Sequence, residues 1–163
     1  MTKMNSASIN IGLSEKQRSG VVDILNAALA DEFALYTKTR NFHWNVTGPQ
    51  FNELHKFFEA QYEELEGFID DIAERARSLD GVAVGSMQGY LKQTRLKEST
   101  GAPPAAIAMI NNLLADHETI IRQLRQDIVK VGDKFGDEGT ADFLTGNMKA
   151  HEKMAWMLRA FLG

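Results

Sequence analysis

The 163-residue chain contains no cysteine. Disulfides, thiolate nucleophiles and thiolate-held metals are therefore excluded, and any metal chemistry must rest on His, Asp and Glu. Such donors favour iron, manganese or zinc over copper(I), and a chain without thiols suits work near peroxide. No run of eighteen apolar residues occurs, so no transmembrane helix is expected and no membrane partner is implied. The first residues, Met1 to Ser8, lack an apolar secretory core, which makes the cytoplasm the expected compartment. Excess positive charge is missing too. At a formal net charge of −4, attraction to nucleic acid would have to come from a local patch. What is present, 44% apolar and 25% charged residues, is the balance of a soluble chain with one well-filled core.

The apolar spacing predicts four long helices and no strand. Ser14-Glu15-Lys16-Gln17 has the form of a capping box, and Val21, Ile24, Leu25, Ala28, Leu29, Phe33 and Tyr36 follow at helical intervals. Thr47-Gly48-Pro49 stops that helix near Trp44. A second helix runs from near Pro49 through Leu54, Phe58, Leu65 and Ile72 to Asp80-Gly81. The third is expected to open with Pro103-Pro104 in its first turn and to be capped by Gly132. The fourth follows Gly139-Thr140 and carries Leu144, Met148, Met154 and Leu158. The long connection from Asp80 to Gly101 holds Met87 to Lys92, apolar enough for a short extra helix. The expectation is an all-α four-helix bundle, one domain over 1–163 with a short N-terminal tail over 1–13.

Within a bundle the first metal pattern to seek is Glu-x-x-His, and it is absent before His43, His55, His117 and His151 alike. His-Glu-x-x-His is absent as well. Asp70 and Glu74, four apart, share one helix face. His55 stands fifteen residues before Asp70, which is about 22 Å along a helix and too far for one ligand sphere. Two chains resolve the difficulty. If the second helix packs on its own copy about a two-fold axis near Glu64 and Leu65, His55 of one chain faces Glu74 of the other, and each contact occurs twice. His43 joins His55 if the turn at Gly48-Pro49 folds the first helix back, and Glu59 lies one turn past His55 to add an oxygen or an outer hydrogen bond. Spacing alone leaves a plainer alternative open: His43 as a packed residue between Phe42 and Trp44, and Asp70 to Arg75 as a solvated face with local ion pairs.

The run Asn41-Phe42-His43-Trp44-Asn45-Val46-Thr47-Gly48-Pro49-Gln50-Phe51, then Leu54-His55, then Asp70-Asp71-Ile72-Ala73-Glu74-Arg75 resembles the signature of the Dps proteins, the mini-ferritins known as DNA-binding proteins from starved cells. Gly89-Tyr90-Leu91 and Trp156-Met157 extend the resemblance over nearly the whole chain. It implies a ferritin-like bundle assembled as two-fold dimers into a twelve-subunit shell of 23 symmetry. It implies ferroxidase sites built from His43 and His55 of one subunit with Asp70 and Glu74 of the next, and Trp44 beside them as a sink for an oxidising equivalent. Fe(II) is then oxidised to Fe(III), with hydrogen peroxide preferred to dioxygen, and stored as mineral. Acids before the last helix, Asp137 and Asp142 among them, would line a three-fold iron entry pore. DNA binding in such proteins draws on basic tails, and this sequence offers Lys3 alone before the first helix and no basic extension after Gly163. Weak DNA binding is expected, with a DNA-coating, nucleoid-associated protein as the alternative and a metal-free helical interaction module as a third.

Overall fold

The computed structural model describes residues 9–163, and among these there is no strand. Four long helices, α1 (Glu15–Asn45), α2 (Phe51–Ser78), α4 (Ala106–Val129) and α5 (Glu138–Ala160), form the bundle, and α3 (Met87–Gln93) interrupts the long connection. Residues 1–8 of the expected tail, with Lys3, lie outside the described residues. The capping box forms as the sequence implies, with Ser14 Oγ accepting from the Gln17 amide and the Gln17 side chain accepting from the Ser14 amide. α1 then runs for 31 residues, about 46 Å at 1.5 Å per residue. Its apolar stripe, Val21, Leu25, Leu29, Leu35 and Phe42, is buried against Leu54, Phe58, Leu65 and Ile72 of α2. Each such side chain removed from water contributes about 1.5–3 kcal/mol. The turn between these two helices passes through Gly48 at φ 110°, a conformation costly for any residue with a Cβ.

Three expected boundaries move, the first being the start of α5, which takes in Gly139 and Thr140 and begins at Glu138. Pro103 and Pro104 precede the third long helix, whose N-cap is Ala105. Gly132 is not a cap either: α4 continues past Val129 as a wide turn over Lys130–Lys134 and ends at Gly136, φ 69°. The tertiary cause is visible. The Phe135 carbonyl accepts from Gln17 Nε2 at 2.9 Å, and the Phe135 ring lies where a Cβ on Gly20 of α1 would stand, 2.3 Å away. Side-chain docking onto α1 thus sets where α4 stops, which local propensity does not anticipate.

The long connection is held at both ends. Asn26 of α1 donates to the Val82 carbonyl and accepts from the Val84 amide, both at 2.9 Å. Further on, Asp31 accepts from the Arg95 amide at 2.6 Å and from its Nε at 2.7 Å, and Arg95 Nη1 reaches Asp127 of α4 at 2.8 Å. No helix among the described residues is long and apolar enough to cross a membrane.

Candidate metal centre

His43 sits in the last turn of α1, where carbonyls run out of helical partners. His55 sits in the second turn of α2, and the turn over residues 46–50 folds the two helices antiparallel. The outcome is a reciprocal clasp. His43 Nδ1–H donates to the His55 carbonyl at 2.7 Å, and His55 Nδ1–H donates to the His43 carbonyl at 2.9 Å. A carbonyl can only accept, so both Nδ1 atoms carry a hydrogen, and each neutral ring is left with its lone pair on Nε2. Fixing the tautomer through the far nitrogen is how proteins prepare imidazole as a metal ligand. The rings stack, with centroids 3.8 Å apart and planes at 19°. Phe51 continues the stack beyond His55 at 5.1 Å, and Tyr62 meets His43 edge-on at 5.2 Å. Two bases are thereby locked side by side, His43 buried and His55 half-buried.

The surroundings of the pair differ in what they offer. Glu59 is half-buried, and its Oε1 accepts from the Tyr62 hydroxyl at 3.4 Å, a long contact that leaves most of the carboxylate's capacity free. Trp44 is 64% exposed, with the Arg40 guanidinium 5.4 Å over its ring; the same guanidinium lies 4.7 Å over Tyr62. Asp70 and Glu74 are exposed, far along α2 from the histidines. Among the described residues, no three His, Asp or Glu side chains of one chain gather to hold a metal. One chain brings together His43 and His55 and presents Asp70 and Glu74 as a separate acidic pair.

The two acids expected at a pore part company. Asp142 is exposed on the first turns of α5. Asp137, by contrast, is 5% exposed and is the N-cap of that helix. Its Oδ1 accepts from the Thr140 amide at 3.0 Å, its Oδ2 from the Thr140 hydroxyl at 2.5 Å, and both oxygens face Arg75 Nη2 at 3.1 and 3.3 Å. Within one chain Asp137, its charge offset by the Arg75 guanidinium, joins α5 to α2.

A second constellation was not foreseen. Glu32 of α1, His117 of α4 and His151 of α5 are at most 1% exposed and form a chain across the bundle interior. His151 Nε2 meets Glu32 Oε1 at 2.8 Å, and the Nδ1 atoms of His151 and His117 face each other at 2.9 Å. Burial, and then the neighbouring His151, hold the His117 imidazole well below the ordinary histidine range. The signal was present in the spacing, for each residue occupies an apolar position of its helix: 25, 28, 29, 32, 35 on α1; 110, 113, 117, 120 on α4; 144, 148, 151, 155 on α5.

A family model of the ferritin-like domain matches residues 22–163. The chain is 53% identical over 154 residues to an uncharacterized low temperature-induced protein of Nostoc, covering 94% of this chain and 86% of that one. It is 39% identical over 142 residues to DNA protection during starvation protein 2 of Bacillus anthracis, covering 87% of this chain and 96% of that one. Among solved structures, the Dps protein of Vibrio cholerae, described as belonging to a broad superfamily of ferritin-like diiron-carboxylate proteins, superposes with a TM-score of 0.89 at 34% identity, over 97% of this chain and 98% of that one.

Proposed function

Because this chain belongs to the Dps family of ferritin-like proteins, we propose that it takes up Fe(II) as substrate, oxidises it at a site shared between two copies, and stores the ferric product within a shell of twelve. One half of that site is the locked pair of His43 and His55; the other is the partner subunit's Asp70 and the partner subunit's Glu74. The observation that carries this reading is the reciprocal clasp, which commits both Nδ1 atoms to carbonyls and leaves two adjacent Nε2 atoms without a partner from the clasp. Nothing in bundle packing requires that arrangement. Two neutral nitrogens and two carboxylates make a mixed set suited to redox-active iron and poorly suited to a closed zinc site.

The outer face of α2 favours the pairing of copies. Ala60 and Gly67 are exposed on it, and a Cβ on Gly67 would meet nothing within 4 Å. These small residues flank the point midway between 55 and 74, where two copies of α2 would cross, and they allow close approach. Glu59 supplies a further oxygen one turn from His55. Two Fe(II) ions each give up one electron to hydrogen peroxide, which takes two protons and leaves as two waters; dioxygen serves as the slower oxidant. Trp44, beside the pair, is the sink for a stray oxidising equivalent. Asp142 belongs to the acidic entry path for Fe(II).

Anaerobic Fe(II) loading followed by peroxide, with ferric absorbance recorded for wild type and His55→Ala, tests this reading. Fast oxidation in wild type and a loss of about 10²-fold in the variant is the expected outcome. Equal rates would remove His55 from the site. A second reading, coating of DNA, has the printed names of several relatives in its favour. Against it stands the formal net charge of −4, with Lys16 and Arg18 at the start of α1 as a weak local patch. Retardation of DNA at low salt that vanishes near physiological salt is the result expected of such a patch.

A further inference from the structure

The Glu32–His151–His117 chain has no part in iron oxidation as proposed above, and its geometry is that of a proton relay. The two ring nitrogens of His151 point in opposite directions, one to Glu32 and one to His117, so no three donor atoms converge. We propose that this chain is an acid-sensitive latch between α1, α4 and α5, closed while at most one of its two rings is cationic and forced open when both are.

The count follows from the contacts. With Glu32 ionised and both rings neutral, His151 Nε2–H donates to Glu32 and His117 Nδ1–H donates to His151 Nδ1, which satisfies both contacts. Two protons then serve the chain, and the His117 Nε2 lone pair and Glu32 Oε2 have no protein partner. A third proton settles on His117 Nε2. The proton between the facing Nδ1 atoms then lies on either ring, both contacts survive, and one positive ring offsets Glu32. A fourth proton on Glu32 Oε2 leaves both contacts intact, whereas one that makes the second ring cationic has no such place. Two N–H groups would confront each other at 2.9 Å, and two cationic rings would lie with centroids 5.1 Å apart in the interior. The contact between α4 and α5 must break.

Nothing nearby relieves that state. On α1, Asp31 is taken by Arg95 and Thr94. On α4, Asp116 is taken by Lys38 of α1. From α2 the group facing His151 is the Phe68 ring, at 5.7 Å. On α5, Asn147 is buried one turn before His151, and its Nδ2 lacks a partner. No charged side chain among the described residues other than Glu32 bonds to the chain.

The sign of the pH effect is fixed by His117. Its imidazole is held below the ordinary value in the folded state, whereas in the unfolded chain it takes up a proton near pH 6.5. Below that pH the unfolded state binds more protons, so stability falls as the solution is acidified.

The test uses the assembled protein. His117→Gln keeps an N–H for His151 Nδ1 and cannot take the extra proton. Melting temperature is followed from pH 7.5 to 5 at fixed concentration for wild type, His117→Gln and His55→Gln. The latch requires a loss on acidification in wild type and in His55→Gln, and a profile displaced to lower pH by about one unit or more in His117→Gln. Superimposable profiles for wild type and His117→Gln would overturn it. Should that variant fail to fold, hydrogen exchange on wild type decides. At pH 5.5, relative to 7.5 and corrected for intrinsic rates, the α4 and α5 segments around 117 and 151 loosen while α2 around His55 does not. Uniform loosening would sink the proposal.

Discussion

The two histidine pairs of this bundle are used in opposite ways, and the difference lies in what meets Nδ1. At the end of α1, His43 and His55 give their Nδ1 hydrogens to each other's backbone carbonyls, and two Nε2 atoms are left over for a guest. In the interior, His117 and His151 spend Nδ1 on each other and His151 spends Nε2 on Glu32, so only the buried His117 Nε2 is left over. Carbonyl partners make a ligand; side-chain partners make a lock. Fold position decides between the two: His43 and His55 meet where the turn over 46–50 brings the end of α1 against the start of α2, within reach of each other's carbonyls.

Four substitutions break or sharpen this contrast. The largest effect is expected from His151→Ala, which strands a buried Glu32 carboxylate and opens a cavity. A loss of about 3–5 kcal/mol in urea unfolding at fixed protein concentration is the expected result. His55→Ala should invert the pattern, with ferroxidation down by about 10²-fold and stability changed by about 1 kcal/mol or less. If its stability falls as far as that of His151→Ala, the two pairs do not differ in kind. Asp137→Ala removes a helix cap and an ion pair with Arg75, and about 1–2 kcal/mol of stability should go with them. Iron uptake that slows in Asp137→Ala without any change in stability would assign Asp137 to the pore instead. Smallest is Asp70→Ala: stability within about 0.5 kcal/mol of wild type, the shell intact on gel filtration, and a slower ferroxidase reaction. Collapse of the oligomer would show that Asp70 is mainly structural.

The same contrast explains what could be read from the residues alone. Helix starts and stops marked by local chemistry, such as the Ser14 capping box and the break at Asp80-Gly81, fall where the sequence places them. The end of α4 does not, because it depends on Phe135 docking over Gly20, a contact 115 positions away in sequence. His43 and His55 are legible because twelve residues and one turn separate them. For Glu32, His117 and His151 the spacing shows burial but not their meeting, because their neighbourhood is created by three helices packing together. Asp137 has a role that local chemistry does show: an acid three residues before Thr140 suits an N-cap, and it caps α5.

The mutual grip of His43 and His55 has a consequence for chain length. Each ring holds the other helix's backbone across the five residues 46–50, so the span of that turn is set from both sides. One added residue would turn α2 by about 100° relative to its neighbour and release both rings together. The connection after α2 behaves differently: Asn26 and Arg95 fasten its two ends, and the stretch around Thr100 and Gly101 runs exposed between Arg95 and α4. A peptide tag or grafted loop therefore has room at Thr100–Gly101 and none at Gly48–Pro49, although both sites are short, exposed turns.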